Sequence, residues 1–204
     1  MIYDLTTLAL RPNTLGAVNA ALPDGLATGI RDGRLLGCFS CEFGILNRFL
    51  VLSAYDSLEA LSRDRAHVIE SRNPFGIGAY LNGLDRGAYE PLPFMADIAV
   101  GAYGPLYEVR SYEVAAGGLA ETAEAWGKVV EQRQAISKLL MVMASVDTAP
   151  QRMVHFWPYP NASARMDARA AASQAGLWPP PGGSTHLLSL KSELFQATKF
   201  SPLQ

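Results

Sequence analysis

Three polar side chains share one side of a strand in the second half of the chain. In the segment YEVRSYEV, polar and apolar positions alternate, so Glu108, Arg110 and Tyr112 face the same way. In a later apolar segment His155 and Trp157 are two residues apart and also share a side. A neutral imidazole can act as a base, and a guanidinium can hold a carboxylate or stabilise an enolate. We therefore predict a catalytic group of His155, Arg110 and Tyr112.

Aromatic and charged residues of the same half would surround this group if both sides belong to one sheet face. We predict that they bind a ligand: Glu108, Trp126, Trp157, Tyr159, Arg169, Trp178 and His186. An aromatic wall with a few polar groups is typical of sites for apolar molecules. The sequence does not give the strand register on which this depends. A structural alternative stays open, in which Glu108 and Arg110 form a buried ion pair and His155 is a core residue.

Metal and haem sites have little support in the residue pattern. The three histidines of the chain form no cluster with carboxylates, so we predict no metal site. We expect no cofactor; haem is kept as an alternative that needs His67, His155 or His186 as axial ligand. Cys38 and Cys41 form a lone C-x-x-C in a strand-like segment, where they face opposite sides, and are interpreted as core residues.

Composition and charge exclude several classes of protein. The chain has 204 residues, of which 49% are hydrophobic and 18% charged, and a net charge of −2, which suits a packed core. Because basic residues are not clustered, a nucleic-acid surface is not expected. No apolar run reaches the ~18–20 residues of a membrane span, and no secretory signal precedes the first strand, so we expect a cytoplasmic protein. Pairing into a homo-oligomer is left open.

The chain contains two copies of one structural unit. Residues 2–66 align with residues 106–170 without a gap, and hydrophobic runs and breakers follow in the same order. Three polar pairs recur at equivalent positions and are interpreted mainly as scaffold: Arg48 with Arg152, Tyr55 with Tyr159, and Arg65 with Arg169. Residues found only in the second copy are the candidates for function. The first copy has Thr6 and Leu8 where the second has Arg110 and Tyr112, so we expect the pocket in the second copy.

Each copy predicts the same six elements. They are a strand (2–10; 106–114), a helix (14–31; 118–135), two strands (35–43 and 48–54; 139–146 and 152–158), a helix (57–71; 161–175) and a strand (79–88; 185–194). The order β-α-β-β-α-β is that of the ferredoxin-like unit, which has both helices on one face of an antiparallel sheet. Because the other face must be covered, we predict an α+β fold in which two tandem ferredoxin-like repeats form an intramolecular barrel. Its parts are a degenerate first repeat (1–97), a linker (98–105) and a second repeat (106–204).

Several segments resemble the NIPSNAP family of the dimeric α+β barrel superfamily. They are YEVRSYEVAAGGLAETAEAW, HFWPYPNASARMDAR and the terminal KFSPL, with a weaker match in IYDLTTLAL. The first copy departs from the pattern, since it lacks the Glu/Arg pair of the first strand and the Trp of the third. The resemblance implies a barrel made by two ferredoxin-like sheets. Relatives in the superfamily include haem-degrading monooxygenases, cofactor-free monooxygenases acting on polycyclic phenols, and lactone isomerases, which hold a small apolar ligand between the sheet and its helices.

Three classes of function follow from these observations. The first is a cofactor-independent enzyme acting on a hydrophobic small molecule by proton transfer, isomerisation or oxygenation. The second is a protein that binds or carries the same ligand without reaction. The third is a structural protein whose interior is filled by side chains. A deep cavity reaching His155 or Tyr112 would favour the first class.

Overall fold

A computed structural model describes all residues, 1–204. The first copy comprises β1 (Ile2–Leu10), α1 (Leu15–Gly29), β2 (Arg34–Phe43), β3 (Arg48–Tyr55), α2 (Leu58–Glu70) and β4 (Leu81–Pro91). Two short 3-10 turns, Pro74–Gly76 and Gly78–Tyr80, precede β4. The second copy comprises β5 (Leu106–Val114), α3 (Leu119–Gly127), α4 (Val130–Ile136), β6 (Met141–Ser145), β7 (Gln151–Tyr159), α5 (Ala162–Gln174) and β8 (Leu187–Ala197). The predicted order of elements is confirmed in both copies.

The eight strands form one closed antiparallel barrel. Their order around it is β1-β3-β2-β8-β5-β7-β6-β4. Each copy contributes four consecutive strands, β4-β1-β3-β2 or β8-β5-β7-β6, and the copies join where β2 pairs with β8 and β4 with β6. Closure leaves no unpaired sheet edge. The predicted α+β barrel of two tandem ferredoxin-like repeats is therefore confirmed.

Strand alternation separates an inner core from two outer cores. Tyr3, Phe39, Tyr107 and Phe156 belong to one buried cluster in the barrel interior that contains residues of both copies. On the outer face, each copy packs its own helices against its own sheet in a separate cluster. The side chains on that outer face of β5 and β7 are the ones predicted to carry chemistry.

Two helices begin as the sequence predicts. Ser57 caps α2, with its hydroxyl accepting a hydrogen bond from the Ala60 backbone N–H at 3.2 Å. Asn161 caps α5 in the same way, accepting from the Ala164 N–H at 2.9 Å. Each side chain satisfies an N–H that the first helical turn leaves unpaired.

Two boundary predictions are wrong for physical reasons. The helix predicted over 118–135 is broken into α3 and α4, because Val129 leaves the helical region with φ −121°, two residues after Gly127. The last strands continue beyond the predicted ends, to Pro91 and Ala197, because their final residues pair with strands of the other copy. These cross-copy pairings are not visible when one copy is considered alone.

None of the helices combines the length and the apolar character that crossing a membrane requires. Both cysteines are free thiols, Cys38 buried and Cys41 partly buried. They contact opposite sides of the sheet, Cys38 the helix side and Cys41 the barrel interior, as predicted.

Candidate functional site

Strand register places the predicted chemical groups on one face of the sheet. Arg110 on β5 lies directly opposite His155 on β7, and Glu108 lies opposite Trp157. On its other side Arg110 lies opposite Ser192 on β8. This face carries the residues of the second copy's helix-side cluster, so the group lies between the sheet and its own helices.

A cavity of about 230 Å³ opens beside this group. It is bounded by β5, β8, α5 and the loop between α5 and β8, and five predicted residues line it: Arg110, Tyr112, Trp126, Arg169 and Trp178. Sequence reasoning missed Ser173, Ser184, Leu187 and Leu190, which also line it. The alternation in LLSLKSEL was the available signal for Leu190. Leu187 lies outside this alternation, because the strand register shifts between Ser189 and Leu187.

Glu108 is the buried anion around which the site is organised. Its Oε1 accepts hydrogen bonds from Arg110 Nε at 2.9 Å, Arg165 at 2.6 Å, Arg169 at 3.1 Å and the Ser192 hydroxyl at 2.6 Å. Burial alone would raise the pKa of Glu108, but the hydrogen bond from Arg165 and the charge of Arg110 outweigh it, so the pKa is lowered. Glu108 is therefore ionised at neutral pH.

Positive charge exceeds negative charge at this site. Glu108 is the one carboxylate that pairs with Arg110, Arg165 and Arg169. A fourth arginine, Arg133, is 2% exposed and has no carboxylate partner; its guanidinium lies 4.3 Å from the Trp157 ring centre. Buried charges are costly unless they are paired. An anion entering the cavity would offset part of this excess.

The Tyr112 hydroxyl is prepared to donate a hydrogen bond into the cavity. Its oxygen accepts from Arg110 Nη1 at 3.0 Å, and its own hydrogen has no acceptor within the protein. An arginine that polarises the oxygen strengthens the donor on its other side. Arg110 and Tyr112 together thus have the donors needed to hold an oxyanion.

His155 is buried and held in one tautomer. Trp157 Nε1 can only donate, and it donates to His155 Nδ1 at 2.6 Å. The proton of the neutral ring is therefore on Nε2, which has no hydrogen-bond partner. Burial, and then the charges of Arg110 and Arg133, lower the pKa of His155 well below 6.5. The geometry does not fit the base role that we predicted for His155, since its one basic nitrogen is occupied.

Aromatic rings form the wall behind the cavity. Trp178 packs edge-on against Trp126 at 4.5 Å and against Trp157 at 5.2 Å between ring centres. The His155 ring lies 4.8 Å from both Tyr112 and Trp126. These contacts seal His155 and Trp157 away from the cavity, so they support its wall from behind.

Two residues predicted to bind ligand lie away from the cavity. Tyr159 is buried in the helix-side cluster and does not line it. His186 pairs with Glu121 on α3 at 2.7 Å and packs over Gly118, where a Cβ would lie 2.3 Å from the His186 side chain. His186 thus fixes the start of α3 rather than the cavity wall.

We expect the imidazole of His155 to remain neutral at every pH at which the protein is folded. A histidine whose folded-state pKa is lowered favours unfolding as pH falls below its ordinary 6.5, because the unfolded chain then binds the proton. Nitrogen NMR of the side chain should show Nε2 protonated and Nδ1 unprotonated from pH 8 to pH 5. An imidazolium signal from the folded protein anywhere in this pH range would contradict this assignment.

The first copy keeps part of the charged arrangement but no comparable cavity. Asp4, the counterpart of Glu108, pairs with Arg65, the counterpart of Arg169. The first copy therefore keeps an acid–arginine pair at this position, although it has Thr6 in place of Arg110. The equivalent space in the first copy measures about 10 Å³, because Phe75 and Ile77 of the preceding loop are buried there.

A second cavity, of about 370 Å³, lies at one end of the barrel interior and is lined by both copies. Charges at its rim pair with each other, Arg48 with Glu193 and Arg152 with Asp85. The interior cavity thus lacks the cationic excess of the 230 Å³ cavity, which is why we place the candidate site at the latter.

Comparison with known proteins gives a family and a fold. The NIPSNAP family model matches residues 3–73 and 107–202. No curated protein matches the chain. Two similar solved structures are named "putative monooxygenase". That from Lactobacillus acidophilus NCFM has a TM-score of 0.68 and 11% identity, with 97% of this chain and 94% of that chain covered. That from Fusobacterium nucleatum has a TM-score of 0.60 and 14% identity, with 97% and 92% covered.

A third similar structure is that of an anthrone oxidase-like protein, with a TM-score of 0.67 and 11% identity over 96% of this chain and 90% of that chain. All three structures match nearly the whole two-copy barrel. At these identities the similarity shows the fold and does not transfer an activity.

Proposed function

We propose that this chain, which belongs to the NIPSNAP family, binds a small aromatic phenol or enol in the 230 Å³ cavity. Bound there, the hydroxyl loses its proton more readily, and the cavity holds the resulting oxyanion. The observation that carries the proposal is the cationic excess beside that cavity. Arg110 and Arg169 line it, and their shared carboxylate, Glu108, is also bound by Arg165. A phenol or enol losing its proton there would gain a partner for its negative charge.

The cavity size limits the ligand to one or two rings. A cavity of ~150 Å³ lined by apolar side chains holds benzene, and this one measures about 230 Å³. Trp126, Trp178 and Leu190 supply an apolar wall, while Tyr112 and Arg110 supply donors on one side. We infer a ligand with a flat apolar body and one acidic hydroxyl.

Stabilising an oxyanion is the chemistry that the lining residues supply. Donors placed where negative charge develops are worth most in a site with little water. A bound phenolate or enolate is electron-rich, so it can take up a proton at carbon or be oxidised by dioxygen. The fold similarity to structures named for monooxygenase and anthrone oxidase-like activity supports the second route as a candidate.

A binding protein without turnover is the second candidate. None of the residues lining the cavity is a carboxylate, and His155 does not reach it. A ligand must therefore bring its own acidity or lose its proton to water. This observation favours a carrier of a preformed anion over an enzyme that removes a proton from carbon.

Haem does not fit the residues of the cavity. His155 accepts a hydrogen bond through Nδ1 and is shielded by rings, while His186 pairs with Glu121 outside the cavity. His67, the third histidine, lies in the last turn of α2 in the other copy. The lining thus offers no imidazole to a haem iron.

Titration of bound 4-nitrophenol tests the proposal, because its ionised form has its own absorbance band. We expect the pKa of the bound probe to fall by ~1–2 units relative to the free probe, since a cation within hydrogen-bond distance favours the charged form. Tryptophan fluorescence would report binding, because Trp126 and Trp178 line the cavity. 4-Nitroanisole, which cannot ionise, should bind more weakly. An unchanged or raised pKa of the bound probe would rule out an oxyanion site.

A further inference from the structure

In the first copy, the Phe75 side chain lies beside Arg86. In the second copy, the space beside Arg110 is an open cavity. The Phe75 ring centre lies 5.4 Å from the guanidinium carbon of Arg86, within the range of a cation–π contact. No aromatic ring of the protein lies in such a contact with Arg110. Arg110 instead lines the open cavity.

Arg86 and Arg110 belong to equivalent cross-strand residue pairs of the two sheets, but each lies on a different strand of its pair. Arg86 on β4 lies directly opposite Thr6 on β1. In the second copy Arg110 on β5 lies opposite Ser192 on β8. Thr6 is the counterpart of Arg110 by the repeat alignment, so each cross-strand pair consists of one arginine and one residue with a hydroxyl group. Both guanidiniums therefore lie on the helix side of their own sheet.

The first copy is shaped around the Phe75 ring. Phe75 has φ +51°, which is unfavourable for a residue with a bulky side chain. A Cβ at Gly25 would lie 1.7 Å from the Phe75 carbonyl oxygen, and a Cβ at Gly29 would lie 2.8 Å from its ring. Both glycines are inside α1, where glycine is disfavoured. The lack of a side chain at Gly25 admits the Phe75 main chain, and the lack of one at Gly29 admits its ring.

Arg86 gains no ion pair in return. Its Nε and Nη1 are buried and have no hydrogen-bond partner, since Asp4, the carboxylate on the neighbouring strand, pairs with Arg65. The Phe75 ring is thus the contact that Arg86 makes in place of a carboxylate.

We propose that the first copy retains a binding site for a neutral aromatic ring beside Arg86, occupied within the chain by Phe75, and that the ligand's ring takes the equivalent place beside Arg110. The second clause rests on the proposed function; the first does not. The ligand class that follows is an aromatic ring whose centre lies within about 6 Å of a guanidinium, so a saturated ring of equal size is a poor substitute.

Replacing Phe75 with alanine should open the first site to an added ring. We expect the Phe75→Ala variant to bind one more molecule of toluene than the native protein, and to prefer toluene to methylcyclohexane by ~2–10-fold. The double variant Phe75→Ala, Arg86→Met should bind both hydrocarbons equally. Ile77→Ala, which empties space in the same cluster, is the matched control and should show no such preference. Absence of the added site, or a preference unchanged by loss of Arg86, would overturn the proposal.

A mutant cycle covers the case in which Phe75→Ala does not fold. Phe75→Leu keeps an apolar side chain, and we expect its loss of melting temperature to be smaller by ~2–4 °C when Arg86 is methionine. Additive changes would overturn the proposal. The two claims are separable, because 4-nitrophenol reports on the second copy and toluene binding gained by Phe75→Ala reports on the first. Failure of 4-nitrophenol alone would leave the Phe75 site standing.

Discussion

Replacing Glu108 with glutamine should lower the melting temperature by about 6–12 °C, the largest loss of stability that we expect from a single change of charge. Glu108 is 1% exposed, and its removal leaves Arg110, Arg165 and Arg169 facing one another without an anion. Breaking a buried ion pair from one side costs about 3 kcal/mol or more, which for a chain of this size corresponds to that shift. Differential scanning calorimetry at pH 7 measures it.

Asp85→Asn is the matched control. Asp85 also pairs with an arginine, Arg152, but at 3.4 Å and with its side chain 68% exposed. Exposed pairs contribute little, so we expect a shift below about 2 °C. Equal shifts for the two variants would show that burial of the Glu108 cluster does not stabilise the fold.

The Glu108→Gln variant should also change how the stability of the protein falls at acid pH. Because the folded-state pKa of Glu108 is lowered from its ordinary 4.5, its contribution is present above pH 4.5 and is lost as pH falls through the folded-state value. The native protein should therefore lose stability steeply below pH 4.5. The Glu108→Gln variant should lose less over the same interval. Parallel curves would contradict the lowered pKa.

Replacing Arg110 with methionine should weaken binding of 4-nitrophenolate by about 30–100-fold. A charge-assisted hydrogen bond in a buried site is worth roughly 2–3 kcal/mol, and each 1.4 kcal/mol is tenfold in affinity. Loss of Arg110 also removes the donor that polarises the Tyr112 hydroxyl. Isothermal titration calorimetry at a pH where the probe is ionised measures the change.

Arg165→Met supplies the control for Arg110→Met. Arg165 binds the same carboxylate, Glu108, at 2.6 Å but does not line the cavity. Both variants remove one positive charge from one cluster, so they differ in contact with the ligand. We expect Arg165→Met to weaken binding by less than about fivefold, because the long-range charge effect is small beside a direct contact. Equal losses would point to a general charge effect and away from a site at Arg110.

The fold could be predicted from the sequence because the chain contains two copies of the same structural unit. Hydrophobic runs recur in the same order from Ile2 and from Leu106, and one copy leaves a sheet face that the other must cover. Strand ends at Pro91 and Ala197 were missed because they depend on pairing between copies. Local pattern gives the elements; contacts distant in sequence give their ends.

Several residues of the candidate site could be predicted from the sequence, but the shape of its cavity could not. Alternation placed Glu108, Arg110 and Tyr112 on one side, and register then brought His155 opposite Arg110. The sequence left the role of His155 open between a base and a core residue, because its tautomer depends on the hydrogen bond from Trp157. The loop before β8 lines the cavity with Pro179, Pro180 and Gly183, whereas the loop before β4 buries Phe75 and Ile77 in the equivalent region. Loop shape is not encoded in strand alternation.

A crystal structure with 4-iodophenol would locate the ligand most directly, because the iodine atom scatters anomalously. We expect the iodine among Trp126, Trp178 and Leu190, and the phenol oxygen within hydrogen-bond distance of Arg110 and Tyr112. Iodine in the 370 Å³ cavity of the barrel interior, with the 230 Å³ cavity empty, would contradict the assignment of the oxyanion site to the second copy.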